Sequence, residues 1–218
     1  MIPSHGQINM ESNLGKLLFL YGADRRFKVY VDIGIWNGQG STVCIMNGIL
    51  QRSSEDRYGV KLYALENNVE RYKEAEAFWE QYPEAHPYLR LLYGRITDIP
   101  MKPIREYYKE PLFRPHMEEW YNGEREQYDK SENVLGRIRE LIDVVVLDGG
   151  EFTTDGDFKE MLRRKTIQLF VLDDTNMIKC HKIVRFLERR EGWLRVHGDE
   201  KDRNGYMIYQ RIPCDDFF

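Results

Sequence analysis

Apolar positions along this chain follow two different rhythms, and the switches between them mark its elements. From about Met10, Leu14, Leu17, Leu18 and Tyr21 recur at three- and four-residue spacing, which predicts a helix that Gly22 can stop. Residues 28–33 (KVYVDI) are a short continuous apolar run and predict a buried strand. A glycine-rich turn (GIWNGQGS) follows, then a helix over 41–51, a strand over 60–65 (VKLYAL) closing on Glu66, a charged amphipathic helix over 68–81 and a strand over 88–93 (YLRLLY). The rhythm then breaks. Residues 97–133 carry Pro100, Pro103, Pro111 and Pro115 among many tyrosines, and the stretch is too long for an ordinary connection. It reads as an insertion with some helix, either a lid or a solvated excursion covering a sheet edge.

Alternation resumes at Val134 with a short helix. Strands are predicted over 143–147 (DVVVL), closing on Asp148, and over 168–172 (QLFVL), closing on Asp173 and Asp174. A helix near 157–164 separates them. Another follows over 178–189, with Cys180, Ile183, Val184 and Leu187 on one face. Residues 193–196 and 206–212 read as a closing hairpin around Arg203-Asn204-Gly205. Strand–helix units repeat, and the first strands are apolar throughout, as strands covered on both faces must be. The expected fold is α/β: a doubly wound, Rossmann-like sheet, mostly parallel, with an antiparallel strand from the C-terminal hairpin, in one domain over 1–218.

Composition narrows the function classes. The 218 residues carry 32 basic and 36 acidic side chains, a net charge of −4, which does not support a strongly basic nucleic-acid binder, though a local patch is compatible with it. Hydrophobic residues at 42% and aromatics at 13% argue for a packed core and against disorder. No apolar run approaches the roughly 20 residues of a membrane span, and the N-terminus shows no signal-peptide pattern. Cys44, Cys180 and Cys214 lie far apart without CxxC spacing, which fits a reducing, cytoplasmic location and no cysteine zinc site.

Ligands of such a sheet sit outside the carboxyl ends of the strands, and here those ends carry acids: Asp32, Glu66, Asp148, Asp173 and Asp174. In the turn after Asp32, Gly34, Gly38 and Gly40 permit close backbone approach, and Ser41 and Thr42 can cap the next helix. The spacing G-x3-G-x-G is neither the dinucleotide fingerprint nor a P-loop; a tight turn without ligand is the plainer alternative. Asp32 would repel a pyrophosphate but suits a ligand bearing an ammonium. Glu66 can accept both hydroxyls of a ribose, or be a loop acid facing solvent. Together they suggest S-adenosylmethionine (SAM).

VYVDIGIWNGQGST followed by LYALENN resembles the first two motifs of the class I SAM-dependent methyltransferases. IDVVVLDGGEF and LFVLDDTN look like the fourth and fifth strand ends of the metal-dependent O-methyltransferases of the catechol and macrocin types. The likeness covers about 28–75 and 142–190. It implies that Gly34, Trp36, Gly38, Gly40 and Ser41 line the methionine part of SAM with Asp32 near its amino group, and that Glu66 binds the ribose. Gly94, Arg95 and Ile96 would lie against the adenine, and Asp148 would complete the cofactor site. Asp148, Asp173 and Asp174 match the family's metal-binding carboxylates.

Crowded carboxylates require a cation or protons, and oxygen ligands select a hard ion such as Mg²⁺, which would acidify a bound substrate hydroxyl. Helix caps or acceptor contacts without metal are the alternative for Asp148 and Asp174. The catechol type has a lysine base three residues after its first metal Asp; that position is Glu151 here, so Asp148, Glu151 and His181 are all candidate bases. His181 is otherwise structural, as His5, His86, His116 and His197 are read, and no Ser-His-Asp or Cys-His set is recognisable. Trp120, Tyr121 and Tyr128 with Arg114, Glu119 and Glu124 can stack on and bond a ring; Gln7, Asn9 and Met10 are placed to close over SAM.

The expected activity is methyl transfer from SAM to a hydroxyl of a small-molecule acceptor, a sugar or glycan before a catechol, with no nucleic-acid or membrane partner and with a homodimer allowed. A nicotinamide-dependent oxidoreductase is the enzymatic competitor, disfavoured by the glycine spacing and Asp32. A noncatalytic module binding a glycan or protein on the same fold is the third reading. A nucleic-acid methyltransferase is disfavoured by the acidic charge and by the lack of an Asn/Asp-Pro-Pro-Tyr motif.

Overall fold

The continuous apolar runs become strands buried on both faces. In the computed structural model, which describes residues 1–212, all residues of β1 (Val29–Ile33), β4 (Val144–Leu147) and β5 (Leu169–Asp173) are buried. With β2 (Lys61–Glu66), β3 (Leu89–Tyr93), β6 (Trp193–Asp199) and β7 (Tyr206–Arg211) they form one sheet in the order β3-β2-β1-β4-β5-β7-β6. The pairs from β3 through β5 are parallel, while β7 runs antiparallel to both β5 and β6. From β1 the chain winds outward to β3, then returns to β4 on the other side of β1. The loops after β1 and β4 therefore diverge, and a crevice opens between them.

Side chains alternate across the sheet as the strand period requires. Tyr30, Val144, Val146 and Val171 join a core with Leu14 and Leu18 of α1 (Asn13–Ala23) and the buried face of α2 (Ser41–Gln51). Val31, Val145, Phe170 and Leu172 join the opposite core with Phe158 of α6 (Thr154–Leu162) and Ile183 of α7 (Ile178–Glu188). Between β2 and β3, α3 (Val69–Trp79) is capped by the Asn68 side chain, which accepts from the N–H groups of Glu70 and Arg71.

Three expectations need correction. Gly22 does not stop α1. A Cβ there would lie 2.3 Å from the Ile45 carbonyl oxygen, so this glycine lets α1 and α2 pack backbone to backbone. The helix ends at Ala23 with Asp24 as its C-cap, and the buried Arg52 secures that corner by donating to the carbonyls of Gly22 and Phe27 and to the Tyr30 hydroxyl. The short helix expected at Val134 is only a 3₁₀ turn, Leu135–Arg137. Residues 97–133 instead hold α4 (Ile104–Tyr107) and α5 (Met117–Lys130), and α5 is the long helix between β3 and β4. Lastly, α6 begins at Thr154, ahead of the expected start.

The tyrosines of that segment mostly face inward. Tyr121 packs with Tyr107, Met117, Phe152 and Ile178 and donates to the Lys102 carbonyl. Tyr128 donates to the carbonyls of Thr97 and Ile99. Arg114 donates to local carbonyls, those of Pro111 and Phe113. The hairpin closes the sheet, with a register shift between Arg195 and His197. Cys44 and Cys180 are buried and free, Cys214 lies outside the described residues, and among those residues no helix is long and apolar enough to cross a membrane.

Candidate active site

The turn after β1 is held from below and pressed from the side. Gly34 has φ +84°, and a Cβ on it would lie 2.4 Å from the Asp148 carbonyl oxygen, so the ends of β1 and β4 meet backbone to backbone. Asp32 is fully buried beneath the turn; its Oδ2 accepts from the hydroxyls of Ser41 (2.9 Å) and Thr42 (2.7 Å). Those hydroxyls therefore do not cap α2, whose N-cap is Gly40 with no side-chain bond. Desolvation pushes the Asp32 carboxyl up to about 6, and its Oδ1 is left without a partner. Asp32 thus lies behind the turn, while Gly40 and Ser41 line its open side and Gly38 packs on Trp79 of α3.

Glu66, at the end of β2, is buried and held by three backbone donors. Its Oε2 accepts from the N–H of Trp36 (2.8 Å), and its Oε1 from those of Asn67 (3.0 Å) and Asn68 (2.9 Å). Desolvation raises its pKa, and these bonds oppose the rise. Trp36 donates from a left-handed backbone, φ 55°, with its indole exposed under the Arg71 guanidinium, 3.9 Å from the ring centre. A cavity of about 490 Å³ opens beside Glu66; Gly34, Trp36, Gly94, Arg95, Ile96 and Asp148 line it. Arg95 is fixed by the carbonyls of Thr97 and Tyr128 and lies over the Tyr128 ring.

Helix α5 forms the far wall of this cavity through Glu119, Trp120, Glu124 and Gln127. Glu124 reaches over Gly150 and accepts from the N–H groups of Glu151 (2.7 Å) and Phe152 (2.9 Å). A Cβ at Gly150 would collide with that carboxylate at 2.2 Å, so the glycine pair after Asp148 makes room for Glu124. Burial pushes both Glu124 and Asp157, which faces the same cavity, up to about 7. For Asp157 the folded pKa lies above the unfolded one. Its contribution to stability is therefore fully present below about pH 4 and is lost as pH rises through about 7. Asp157→Asn should remove that loss, raising stability at pH 8 by about 2 kcal/mol and leaving it nearly unchanged at pH 4. Urea unfolding at both pH values checks this; an equal effect at the two would refute it.

A second cavity, of about 390 Å³, shares Gly34, Trp36 and Asp148 with the first and is closed by His5, Gly6, Gln7 and Ile8. Of the residues expected to close over a ligand, Gln7 lines this cavity. Asn9 and Met10 instead hold the N-terminal turn, where Asn9 accepts from the Ser12 hydroxyl and Met10 donates to the Ser4 hydroxyl.

The acids after β4 and β5 converge: Asp148, Asp173 and Asp174 each present an oxygen within 4.8 Å of the others. Lys179 of α7 enters among them. Its Nζ donates to Asp148 Oδ1 at 2.7 Å and lies 2.8 Å from Asp174 Oδ2, with a side chain only 5% exposed. Arg203, in the β6–β7 turn, donates to Asp173 Oδ2 at 2.9 Å and to Gln7 Oε1 at 2.6 Å, and Asn204 donates to Asp174 Oδ1. Desolvation raises Asp148 and carries Asp173 up to about 7. The Lys179 charge and its hydrogen bond outweigh desolvation at Asp174 and hold it below the ordinary range. As a donor set the three carboxylates suit a hard divalent ion. As a space they do not, because the Lys179 ammonium lies between two of them.

The remaining base candidates lie apart. Glu151 accepts from the Lys179 N–H at 3.1 Å and so caps α7, while a ring nitrogen of His181 lies 3.3 Å from the Ile178 carbonyl oxygen in the same helical turn. Both line a small separate pocket with Lys179 and Tyr107. Among the described residues, the non-glycine positions with positive φ are Trp36, Asp174 and Arg203. Trp36 lines both cavities and the other two belong to the acid cluster, so backbone strain gathers at this crevice, as it does at functional sites.

No family model and no curated protein matches the chain. Solved structures do. An O-methyltransferase from Bacillus cereus in complex with SAH superposes with a TM-score of 0.58 at 14% identity, covering 97% of this chain and 84% of that one. The fold is that of the class I methyltransferases. A methyltransferase from Geobacter sulfurreducens aligns with a TM-score of 0.58 at 13% identity over 94% of this chain and 81% of its own. The O-methyltransferase TomG from Streptomyces achromogenes, in complex with SAM, aligns with a TM-score of 0.56 at 15% identity over 91% and 79%.

Sequence reasoning missed four residues of this methyltransferase-fold crevice in the roles they take. Lys179 had a signal: a lysine in the first turn of a helix opposes the helix dipole, and it shares a face with Ile183 and Leu187. Glu124 was read as a contact for an acceptor ring, whereas it binds the N–H groups of Glu151 and Phe152; Asp157 had no signal, since it reads as an ordinary acid of a charged segment. Arg203 read only as part of a turn.

Proposed function

We propose that this protein is a SAM-dependent O-methyltransferase acting on a hydroxyl of a small acceptor, a sugar or glycan before a planar catechol. The observation that carries the proposal is Glu66. It is a buried carboxylate oriented by three N–H groups at the mouth of a cavity large enough for an adenosine, one backbone turn from Gly34. In this reading Glu66 takes the ribose hydroxyls. Arg95 and Ile96 flank the adenine, and Gly34, Trp36, Gly40 and Ser41 line the methionine end. Asp32 acts through Ser41 and Thr42, holding the turn rather than the ligand.

Asp148 borders both cavities, where the methyl group would lie, and of the three candidate bases it is the one in that position. The acceptor hydroxyl attacks the methyl carbon; a C–O bond forms, the C–S bond breaks with its pair going to sulfur, and the hydroxyl proton passes to Asp148. Arg203, which donates to Asp173 and to Gln7, gives that border a polar lining that favours a polyhydroxylated acceptor over a flat aromatic one. Metal assistance is the finer expectation at the same carboxylates. The donor set supports it, and the ammonium between Asp148 and Asp174 opposes it.

Calorimetry with SAM and its demethylated product tests the proposal, followed by product-release assays over a panel of sugars and catechols. Micromolar binding with turnover on a hydroxylated acceptor is expected. No heat with either nucleoside would end the reading, and NADH binding in their place would favour the oxidoreductase.

A further inference from the structure

Three carboxylates with oxygens within 4.8 Å of one another repel unless cations or protons intervene. Two resident cations face them. Lys179 Nζ lies 2.7 Å from Asp148 and 2.8 Å from Asp174, and Arg203 Nη2 lies 2.9 Å from Asp173 and 3.4 Å from Asp174. Lys179 is placed there by construction. Its backbone N–H is fixed by Glu151, its side chain is buried, and it stands in the first turn of α7, where the helix dipole disfavours a cation. Only a strong opposing gain, two short charge-assisted bonds, accounts for a lysine in that position. A divalent ion at the same oxygens would have to displace this ammonium or stand beside it, and either is costly at buried distances.

We infer that Lys179 occupies the place of a divalent cation, so that the site is served by an internal ammonium and works without metal. The inference rests on the methyltransferase reading for its chemistry but not for its geometry. Lys179 is a positioning residue. It holds Asp148 and Asp174 in register with the shared border of the cavities and supplies a positive charge on the acceptor side.

The test is binding of Mn²⁺ alone, read by the loss of its free-ion electron paramagnetic resonance signal. The samples are the full-length wild-type chain and Lys179→Met and Lys179→Gln. The wild type should bind no Mn²⁺ at the cluster. Either variant should bind one ion at least about tenfold more tightly, because it leaves the carboxylates unpaired. Asp148→Asn added to the variant should abolish the gain. Stoichiometric Mn²⁺ binding by the wild type overturns the inference, and this holds even if neither variant folds. Folded variants, by circular dichroism, that gain no Mn²⁺ also overturn it. Failure is separable from failure of the functional reading: a wild type that binds SAM and also takes up Mn²⁺ refutes only the internal cation. One that binds neither refutes only the donor. With an active preparation, methyl transfer unchanged by EDTA is the matching expectation.

Discussion

Gly34→Ala should abolish SAM binding and lower stability by about 3 kcal/mol, more than a positive-φ glycine costs by itself. The methyl carbon would sit 2.4 Å from the Asp148 carbonyl oxygen and 2.5 Å from Gly149 Cα, and both are backbone, so no side chain can move aside. The ends of β1 and β4 must separate, and the wall common to both cavities separates with them. Gly59→Ala is the internal control. Gly59 has φ +75°, close to the +84° of Gly34, yet nothing lies within 4 Å of its Cβ position. It should cost only about 1 kcal/mol and leave SAM affinity unchanged. Urea unfolding and calorimetry on both variants check the pair. Equal losses would mean that backbone conformation, not the β1–β4 contact, makes glycine necessary at 34.

Glu66→Ala should weaken SAM about 100-fold, the loss of roughly 3 kcal/mol of charge-assisted bonding to a ribose. Glu66→Gln separates two roles of the carboxylate. The amide keeps the shape and one acceptor oxygen, but its nitrogen cannot accept from the N–H of Trp36 or from those of Asn67 and Asn68. The mismatch should release the strained Trp36 backbone, so Gln should lose nearly as much affinity as Ala and also reduce thermal stability. Affinity retained in both variants would remove Glu66 from the ribose site and with it the observation on which the proposed function stands. Intrinsic tryptophan fluorescence reports the second effect, because the Trp36 indole is exposed beneath Arg71.

Much of the scaffold was readable because it depends on local pattern. The runs VYVDI, DVVVL and QLFVL have no polar face to turn outward, so they become central strands, and the acids that close the last two, Asp148, Asp173 and Asp174, meet by position alone, while Asp32 is buried behind its turn. The segment 97–133 was legible only as an irregularity. Its prolines and mixed charges hide the fact that Tyr121 and Tyr128 aim their hydroxyls at backbone carbonyls inside the protein, and that Glu124 spans to the N–H groups of residues 151 and 152. Such bonds join residues 19 to 31 positions apart and leave no periodic trace. Gly22 misled for a related reason: a glycine that ends a helix and one that admits a neighbouring helix are the same letter, and only the Ile45 carbonyl beside it distinguishes them.

The residues in order were enough to establish a doubly wound sheet, the glycine turn and the acids at the strand ends, because alternation, burial and strand direction follow from nearest neighbours along the chain. The charge balance of the crevice was not contained there. Whether Asp148, Asp173 and Asp174 await a metal or already hold a cation depends on which way Lys179 points and where the Arg203 turn folds back. Coulomb energy depends on distance through space and on exclusion of water, so packing of the whole molecule, rather than spacing along the chain, fixes it.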